Sequence, residues 1–245
     1  MKKIFLIFII LNTLFLYGCS DKSDHMDSHH KGDEKLAKVY DSDQMYLTQL
    51  GLMRGHLYVG IELYKNGFLE NAKMHMKHPK SELYADIVPT FEAKGSSGFA
   101  GELEALALAV EDEKDFDSIS LKYKNLNQAI TINESYIDSS SKLLNERISL
   151  VVSLLEIAAE EYAIGIVNGN VENKFEYQDA LGFTVVAKNI LKNTDTKNKE
   201  EEIKKNKALL VLDSLFDLWP FLVPTGKIDG DSKIILDAVT QINSI

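Results

Sequence analysis

The chain contains few cysteines, prolines and glycines: one, four and fourteen in 245 residues. Disulfide-bonded proteins and proteins that bind metal through cysteines need more of the first, and β-rich proteins need more of the other two. A single cysteine excludes an intramolecular disulfide and a zinc site built from cysteines. So few turn residues cannot serve a β-sandwich or barrel, whose chain turns about every ten residues. The sequence therefore predicts an all-α fold, a multi-helix protein made of two packed helical sub-bundles.

Positively charged residues are outnumbered by acidic ones: the chain has 27 lysines and arginines and 37 aspartates and glutamates, which gives a formal net charge of −10. This sign is wrong for neutralising a phosphate backbone, so nucleic acid is excluded as a partner. No phosphate-binding glycine loop, nucleophile elbow or HExxH motif occurs. We therefore expect a protein that is not an enzyme.

The N-terminus has the pattern of a secretory signal. A basic start, Met1–Lys3, precedes an apolar run over residues 4–17 that is too short to span a bilayer, which predicts a signal peptide over residues 1–18. The sequence Leu16-Tyr17-Gly18-Cys19 resembles the bacterial lipobox, which implies that Cys19 carries palmitate and anchors the protein to the membrane. The alternative is a secretory peptide whose lone cysteine has no such role.

The remaining chain divides into three predicted parts. Residues 19–36 are polar, include His25, His29 and His30, and lack apolar periodicity, so they form a flexible tether between lipid and domain. Residues 37–114 form an N-terminal helical sub-domain, and residues 115–245 form a C-terminal bundle of long helices. The whole protein would face the periplasm or the cell exterior.

Helix boundaries in the N-terminal sub-domain follow from caps and breakers. Ser42 is a good N-cap for an amphipathic helix that ends at Asn66-Gly67. A shorter helix over 68–77 ends before Pro79, and another runs over 81–94.

The C-terminal bundle shows the longest pattern of the chain. Apolar residues over 144–162 recur at four- and three-residue steps, the spacing of a coiled-coil-like seam. Ser139–Ser141 is the weakest point before this seam and predicts a break or bend. Asn168–Asn170 ends the seam helix, Asp231 caps the last helix, and no strand pattern competes anywhere.

Histidines mark the first candidate site. On a helical wheel His56, His75 and Glu102 each lie beside the apolar stripe of a separate helix, with His78 nearby, so three packed helices could hold one metal ion between them. Imidazole binds iron, copper and zinc. The alternative is that these are ordinary polar residues at the edge of a core.

Carboxylates mark a second candidate site, formed by Glu161, Glu176 and Asp179. Glu176 and Asp179 share a helix face with Phe183, where a carboxylate needs a partner. Inward carboxylates across a helical hairpin can bind a hard metal ion. The alternative is a helix cap with hydrogen bonds to tyrosine hydroxyls.

The same hairpin carries a family resemblance. Glu161-Tyr162, Val167-Asn168-Gly169, Glu176-Tyr177, Asp179 and Phe183 resemble, over residues 150–192, the extracytoplasmic helical segment that precedes the membrane domain of bacterial FTR-type iron permeases. The chain lacks transmembrane segments and the Arg-Glu-x-x-Glu motif of those permeases, so the resemblance implies an extracytoplasmic module of metal uptake or sensing and not transport. The stretches 50–56 and 75–79 are similar only to uncharacterised bacterial proteins.

Together these features predict a lipid-anchored extracytoplasmic binding protein whose ligand is a transition metal, Fe, Cu or Zn, and whose partner is a membrane transporter. The alternative is a structural or protein-interaction module without metal. A carboxylate-bridged oxidoreductase is a weaker reading, because the Glu-x-x-His pairs of di-iron bundles are absent.

Overall fold

The computed structural model describes residues 39–40 and 42–245. The predicted signal peptide, Cys19 and the tether therefore lie outside the described residues. The described chain is built almost entirely from helices, which confirms the all-α prediction. The helices are α1 (Asp43–Lys65), α2 (Leu69–His78), α3 (Ala85–Lys94), α4 (Ala100–Glu111), α5 (Phe116–Glu134), α6 (Leu144–Gly165), α7 (Lys174–Lys192), α8 (Lys199–Ser214) and α9 (Ser232–Asn243).

Local capping explains where several helices begin. The side chain of Ser42 accepts a hydrogen bond from the backbone N–H of Met45 at the start of α1, and Asp231 does the same for Lys233 at the start of α9. Both caps satisfy a backbone donor that has no partner inside its helix. The two N-caps predicted from the sequence are therefore confirmed.

The predicted helix end before Pro79 is confirmed for α2, which ends at His78, but the chain does not leave the helical path there. The chain passes from α2 through a π-helical turn, Pro79–Tyr84, directly into α3. Pro79 occupies the first position of this turn, and its missing N–H explains why the α-helical hydrogen-bond pattern of α2 ends there. The wider turn keeps α2 and α3 continuous.

The chain between α5 and α6 breaks at the predicted serines. A short 3-10 helix, Ser139–Lys142, separates the two long helices. A second irregularity was not predicted: residues after α6 form an antiparallel hairpin of β1 (Ile166–Val167) and β2 (Asn170–Val171), turning through Asn168 and Gly169 with positive φ. Two-residue strands are too short to show alternation, so no sequence pattern reveals them.

Two apolar clusters form the core, and α1 contributes to both. One cluster joins α6 to α9, and Leu47 and Leu52 of α1 pack into it. The other joins α1 to α5. All predicted seam residues of α6 are buried: Leu144, Ile148, Val151, Leu155, Ala158 and Tyr162. The predicted boundary near residue 114 stays a prediction.

Within the described residues, no helix combines the length and the apolar character that crossing a membrane requires.

Candidate metal centre

Three histidines and one aspartate converge at the junction of three helices. His56 comes from α1, His75 and His78 from the end of α2, and Asp179 from α7. Each offers one nitrogen or oxygen atom, and these four atoms lie within 4.8 Å of one another. His75 and Asp179 are almost completely buried, and His56 is 7% exposed. The half-buried His78 gives the cluster its side toward solvent.

Glycines allow the helices to approach closely enough for this convergence. A Cβ atom at Gly182 of α7 would lie 2.8 Å from the carbonyl carbon of Gly55 in α1, closer than real Cβ contacts. A Cβ at Gly60 of α1 would likewise lie 2.7 Å from the methyl carbon of Met76 in α2. The first contact is between backbones and is adjacent to His56, so Gly55 and Gly182 set the distance between α1 and α7 at the cluster, whereas the contact at Gly60 is with the end of a flexible side chain.

Asp179 is the centre of the cluster. Its Oδ1 lies 2.5 Å from Nδ1 of His56 and 3.0 Å from Nδ1 of His75, and its Oδ2 lies 3.9 Å from Nδ1 of His78. All three imidazoles therefore present Nδ1 to one carboxylate. Burial alone would raise the pKa of Asp179, but the charge of His56 and hydrogen bonds from His56 and His75 hold that pKa well below its usual range.

Gln178 fixes the orientation of His75. Its Nε2 donates to the backbone carbonyl of Leu222 at 2.9 Å, which leaves its Oε1 2.9 Å from Nε2 of His75. Because Oε1 can only accept, Nε2 of His75 carries a hydrogen. In the neutral imidazole, Nδ1 then points a lone pair at Asp179, and two facing lone pairs repel. A proton or a metal cation belongs between these atoms.

This arrangement has the chemistry of a transition-metal site. Imidazole nitrogens and one carboxylate oxygen suit zinc, iron and copper, and a metal-binding histidine characteristically donates its other N–H to a protein oxygen. A tetrahedral ion with metal–nitrogen bonds of about 2.0–2.1 Å separates its ligand atoms by about 3.3 Å. The two short contacts to Asp179 would therefore lengthen by less than about 1 Å around an ion.

A π-helical turn begins directly after His78. Such turns are rare and occur frequently at functional sites. Here the turn follows the last imidazole of the cluster without interrupting the chain between α2 and α3. The region beside His78 is thus the part of the site whose backbone departs most from a regular helix.

The predicted ligands are only partly brought together. His56, His75 and His78 meet, as the helical wheel indicated, but Glu102 is exposed in the first turn of α4 and is not part of the group. The fourth ligand atom comes instead from Asp179, which had been placed with Glu161 and Glu176. Helical phase indicates which face a residue occupies but not which helix packs against that face.

Glu161 and Glu176 form a pair of their own across α6 and α7. Burial, a hydrogen bond with Glu176 and the neighbouring charges of Glu176 and Asp179 raise the pKa of Glu161 from 4.5 to about 9. The two carboxyl groups therefore favour sharing one proton at neutral pH, which lets them hydrogen-bond to each other. The structure thus places Glu161 beside Glu176 and places Asp179 with the histidines, and a metal site formed by the three carboxylates stays a prediction.

Gln178 is the functional residue that sequence reasoning missed. It is completely buried, and its amide joins His75 to Leu222. One signal existed in the sequence: Gln178, Gly182 and Val186 follow one another at four-residue steps, so a polar side chain stands in an apolar stripe of α7.

Comparison with known protein families finds one similarity, and it lies in the C-terminal part of the chain. Residues 138–245 match the model of the iron permease-associated 4-helix bundle domain. The match confirms the resemblance carried by the hairpin residues, and it extends that resemblance over α6, α7, α8 and α9. Neither the search of curated proteins nor that of solved structures yields a match.

The segment that matches this family model supplies only part of the candidate metal centre. Asp179, Gln178, Glu161 and Glu176 lie within the matched segment, whereas the three histidines lie before it in α1 and α2. The cluster is thus built where the N-terminal helices pack on the matched bundle.

Proposed function

We propose that this protein is a lipid-anchored, extracytoplasmic metal-binding protein of iron permease-related metal uptake. His56, His75, His78 and Asp179 hold one transition metal ion, with iron, copper and zinc as the candidate ions. The observation that carries the proposal is the convergence of four ligand atoms within 4.8 Å in a largely buried position. The role is binding and delivery of the ion, not catalysis.

Two features support uptake over a general metal site. The matched domain is iron permease-associated by its description, and its helix α7 contributes Asp179 to the cluster. His78, at the solvent side, offers a route by which an ion can enter or leave. A membrane transporter is accordingly the proposed partner, and acylated Cys19 the proposed anchor beside it.

Protons and the metal ion would compete for the same imidazole nitrogens and the same carboxylate oxygen. Asp179 is stabilised as a carboxylate by imidazoles that bear hydrogens, so an incoming ion displaces protons from the cluster. Metal affinity therefore falls on acidification, because a protonated imidazole has no lone pair for the ion.

The test is metal titration of the purified full chain by calorimetry and element analysis. Replacing His25, His29 and His30 of the tether by Asn removes competing ligands outside the described residues. We expect about one equivalent of bound metal, and we expect His75→Ala to weaken binding by at least about a hundredfold. Glu102→Gln is the matched control, since it removes a carboxylate that the structure places outside the cluster, and it should bind as the wild type does.

A structural or protein-interaction module is the second candidate. It is favoured by one observation, which is that His56 and His75 lie close enough to the buried Asp179 to balance its charge themselves when protonated. If the chain binds no iron, copper or zinc at micromolar concentration, or if His75→Ala binds like the wild type, this second function replaces the first.

Lipid anchoring has a separate test. The wild-type chain should incorporate labelled palmitate in bacterial cells and partition into detergent, whereas Cys19→Ala should do neither. Equal labelling of the two chains would contradict the anchor and would leave the metal site unaffected.

A further inference from the structure

A second cavity lies elsewhere in the molecule, and none of its lining residues belongs to the metal centre. It is a cleft of about 750 Å³ bounded by α1, α5, α6 and α7. Its volume lies in the range of pockets that bind small organic molecules. The walls combine apolar side chains, among them Leu47, Leu150, Val186 and Ile190, with a group of cations.

Both arginines of the chain line this cleft. Arg54 is held in place by its neighbours: it donates to Glu134 at 2.7 and 2.9 Å, to the side chain of Asn127 at 2.6 Å and to Thr131 at 2.8 Å. Arg54 therefore neutralises Glu134 and forms part of the wall.

Arg147 has a different environment. Within the described part of the chain, its guanidinium makes no hydrogen bond and no ion pair, although the residue is partly buried. Burial lowers the pKa of Arg147, and the charge of Glu134 only partly opposes that shift. A partly buried guanidinium with no carboxylate at ion-pair distance keeps a charge that is not fully balanced. The exposed Lys142, also without an ion pair among the described residues, lines the same cleft.

The cleft consequently keeps positive charge in a protein whose formal net charge is −10. Three cations and two carboxylates line it, and Glu134 is already paired with Arg54, so the formal charge of the lining stays positive. Arg147 and Lys142 remain available to an anion.

We propose that this cleft binds a small organic carboxylate. The planar fork of Arg147 matches a carboxylate with two parallel hydrogen bonds, and Lys142 adds a second positive charge. The apolar side chains of α1, α6 and α7 would receive the body of the molecule, and Tyr58 and Tyr123 line the same cleft. The site is independent of the proposed metal centre.

The experiment uses the full chain and a pair of probes that differ only in charge, 2-naphthoate and its neutral amide. Calorimetry should show that the wild type binds naphthoate more tightly than naphthamide, by about tenfold or more. Arg147→Gln should abolish that preference, and Arg147→Lys should restore only part of it because lysine lacks the fork. Lys207→Gln is the matched control, because it removes one exposed positive charge from α8, outside the cleft.

Several results would overturn the proposal. The first is that the wild type does not bind naphthoate at millimolar concentration. The second is that the wild type and Arg147→Gln bind naphthoate equally well. The third is that the wild type binds inorganic phosphate or phosphatidylglycerol vesicles but not naphthoate. Thermal melting of each variant shows that it is folded. Arg147→Gln should melt at or above the wild-type temperature, since it removes a partly buried cation without a partner.

Discussion

At the scale of single residues, the chemistry of the proposed metal centre depends on Gln178 as much as on the ligands. Its Oε1 accepts from Nε2 of His75 and thereby directs Nδ1 toward Asp179. Without this acceptor the ring can adopt the other tautomer or rotate. Gln178 therefore positions His75 without touching the ion.

Gln178→Met should preserve the volume of the side chain and remove this acceptor. We expect metal affinity to fall by about 10- to 100-fold, the usual effect of losing a group that orients a ligand. Thr184→Val, in the same helix, is the control, because the Thr184 hydroxyl bonds only to its own helix at Ala180. Equal affinities of wild type and Gln178→Met in calorimetry would contradict this role.

Glu161 predicts a pH dependence of stability. The folded chain keeps the Glu161 proton up to about pH 9, whereas the unfolded chain releases it near the ordinary value of 4.5. The folded state thus binds more protons in this window, so the free energy of unfolding falls as pH rises from about 4.5 to about 9. The stabilisation is fully present below the lower value and is lost as pH passes the upper one.

Glu161→Gln should flatten this dependence, because an amide donates to Glu176 without titrating. The slope should decrease by up to about 1.4 kcal/mol per pH unit, measured by urea unfolding at pH 5 and pH 8. Glu156→Gln is the control, since Glu156 is exposed in the same helix and its charge is not among those that raise the pKa of Glu161. Parallel slopes for wild type and Glu161→Gln would show that the carboxyl pair carries no shared proton.

At the scale of secondary-structure elements, the crossing of α1 and α7 decides whether His56 can reach Asp179. Gly55 and Gly182 let the two backbones approach, and an added methyl group would meet backbone atoms that cannot rotate away. The helices would have to separate, and the contact between His56 and Asp179 would lengthen with them.

Gly182→Ala should therefore destabilise the fold by about 1–3 kcal/mol and weaken metal binding in the same variant. Gly101→Ala is the control, because Gly101 lies in α4 with open space around its Cβ position. This control should be neutral or stabilise by up to about 1 kcal/mol. Chemical denaturation measures both, and a Gly182→Ala protein as stable as the wild type would contradict the close crossing.

At the scale of the whole molecule, the cluster joins the two halves of the core. An ion held by α1, α2 and α7 links the helices of one apolar cluster to the bundle of the other. Because α1 already packs in both clusters, we expect the halves to unfold together.

Metal at about a hundred times its dissociation constant should add about 2.7 kcal/mol to the free energy of unfolding. For a folded region of this size that corresponds to about 5–10 °C in melting temperature. Scanning calorimetry should show one transition that moves as a whole. Two transitions, of which metal moves only one, would show that the ion does not couple the halves.

Features that depend on neighbouring residues could be predicted from the sequence alone. The caps at Ser42 and Asp231, the break near Ser139 and the buried face of α6 follow from local hydrogen bonding and helical periodicity, which act within a few residues. The same periodicity placed His56 and His75 at the edge of the core.

Only the tertiary structure decided which carboxylate meets those histidines. Glu102 and Asp179 both lie near apolar stripes, and nothing local distinguishes them. The distinction arises because Gly55 and Gly182 bring α7, and not α4, against the His56 side of α1. Packing between distant segments depends on the shapes of both surfaces at once, so a single sequence indicates the face of each helix but not its partner.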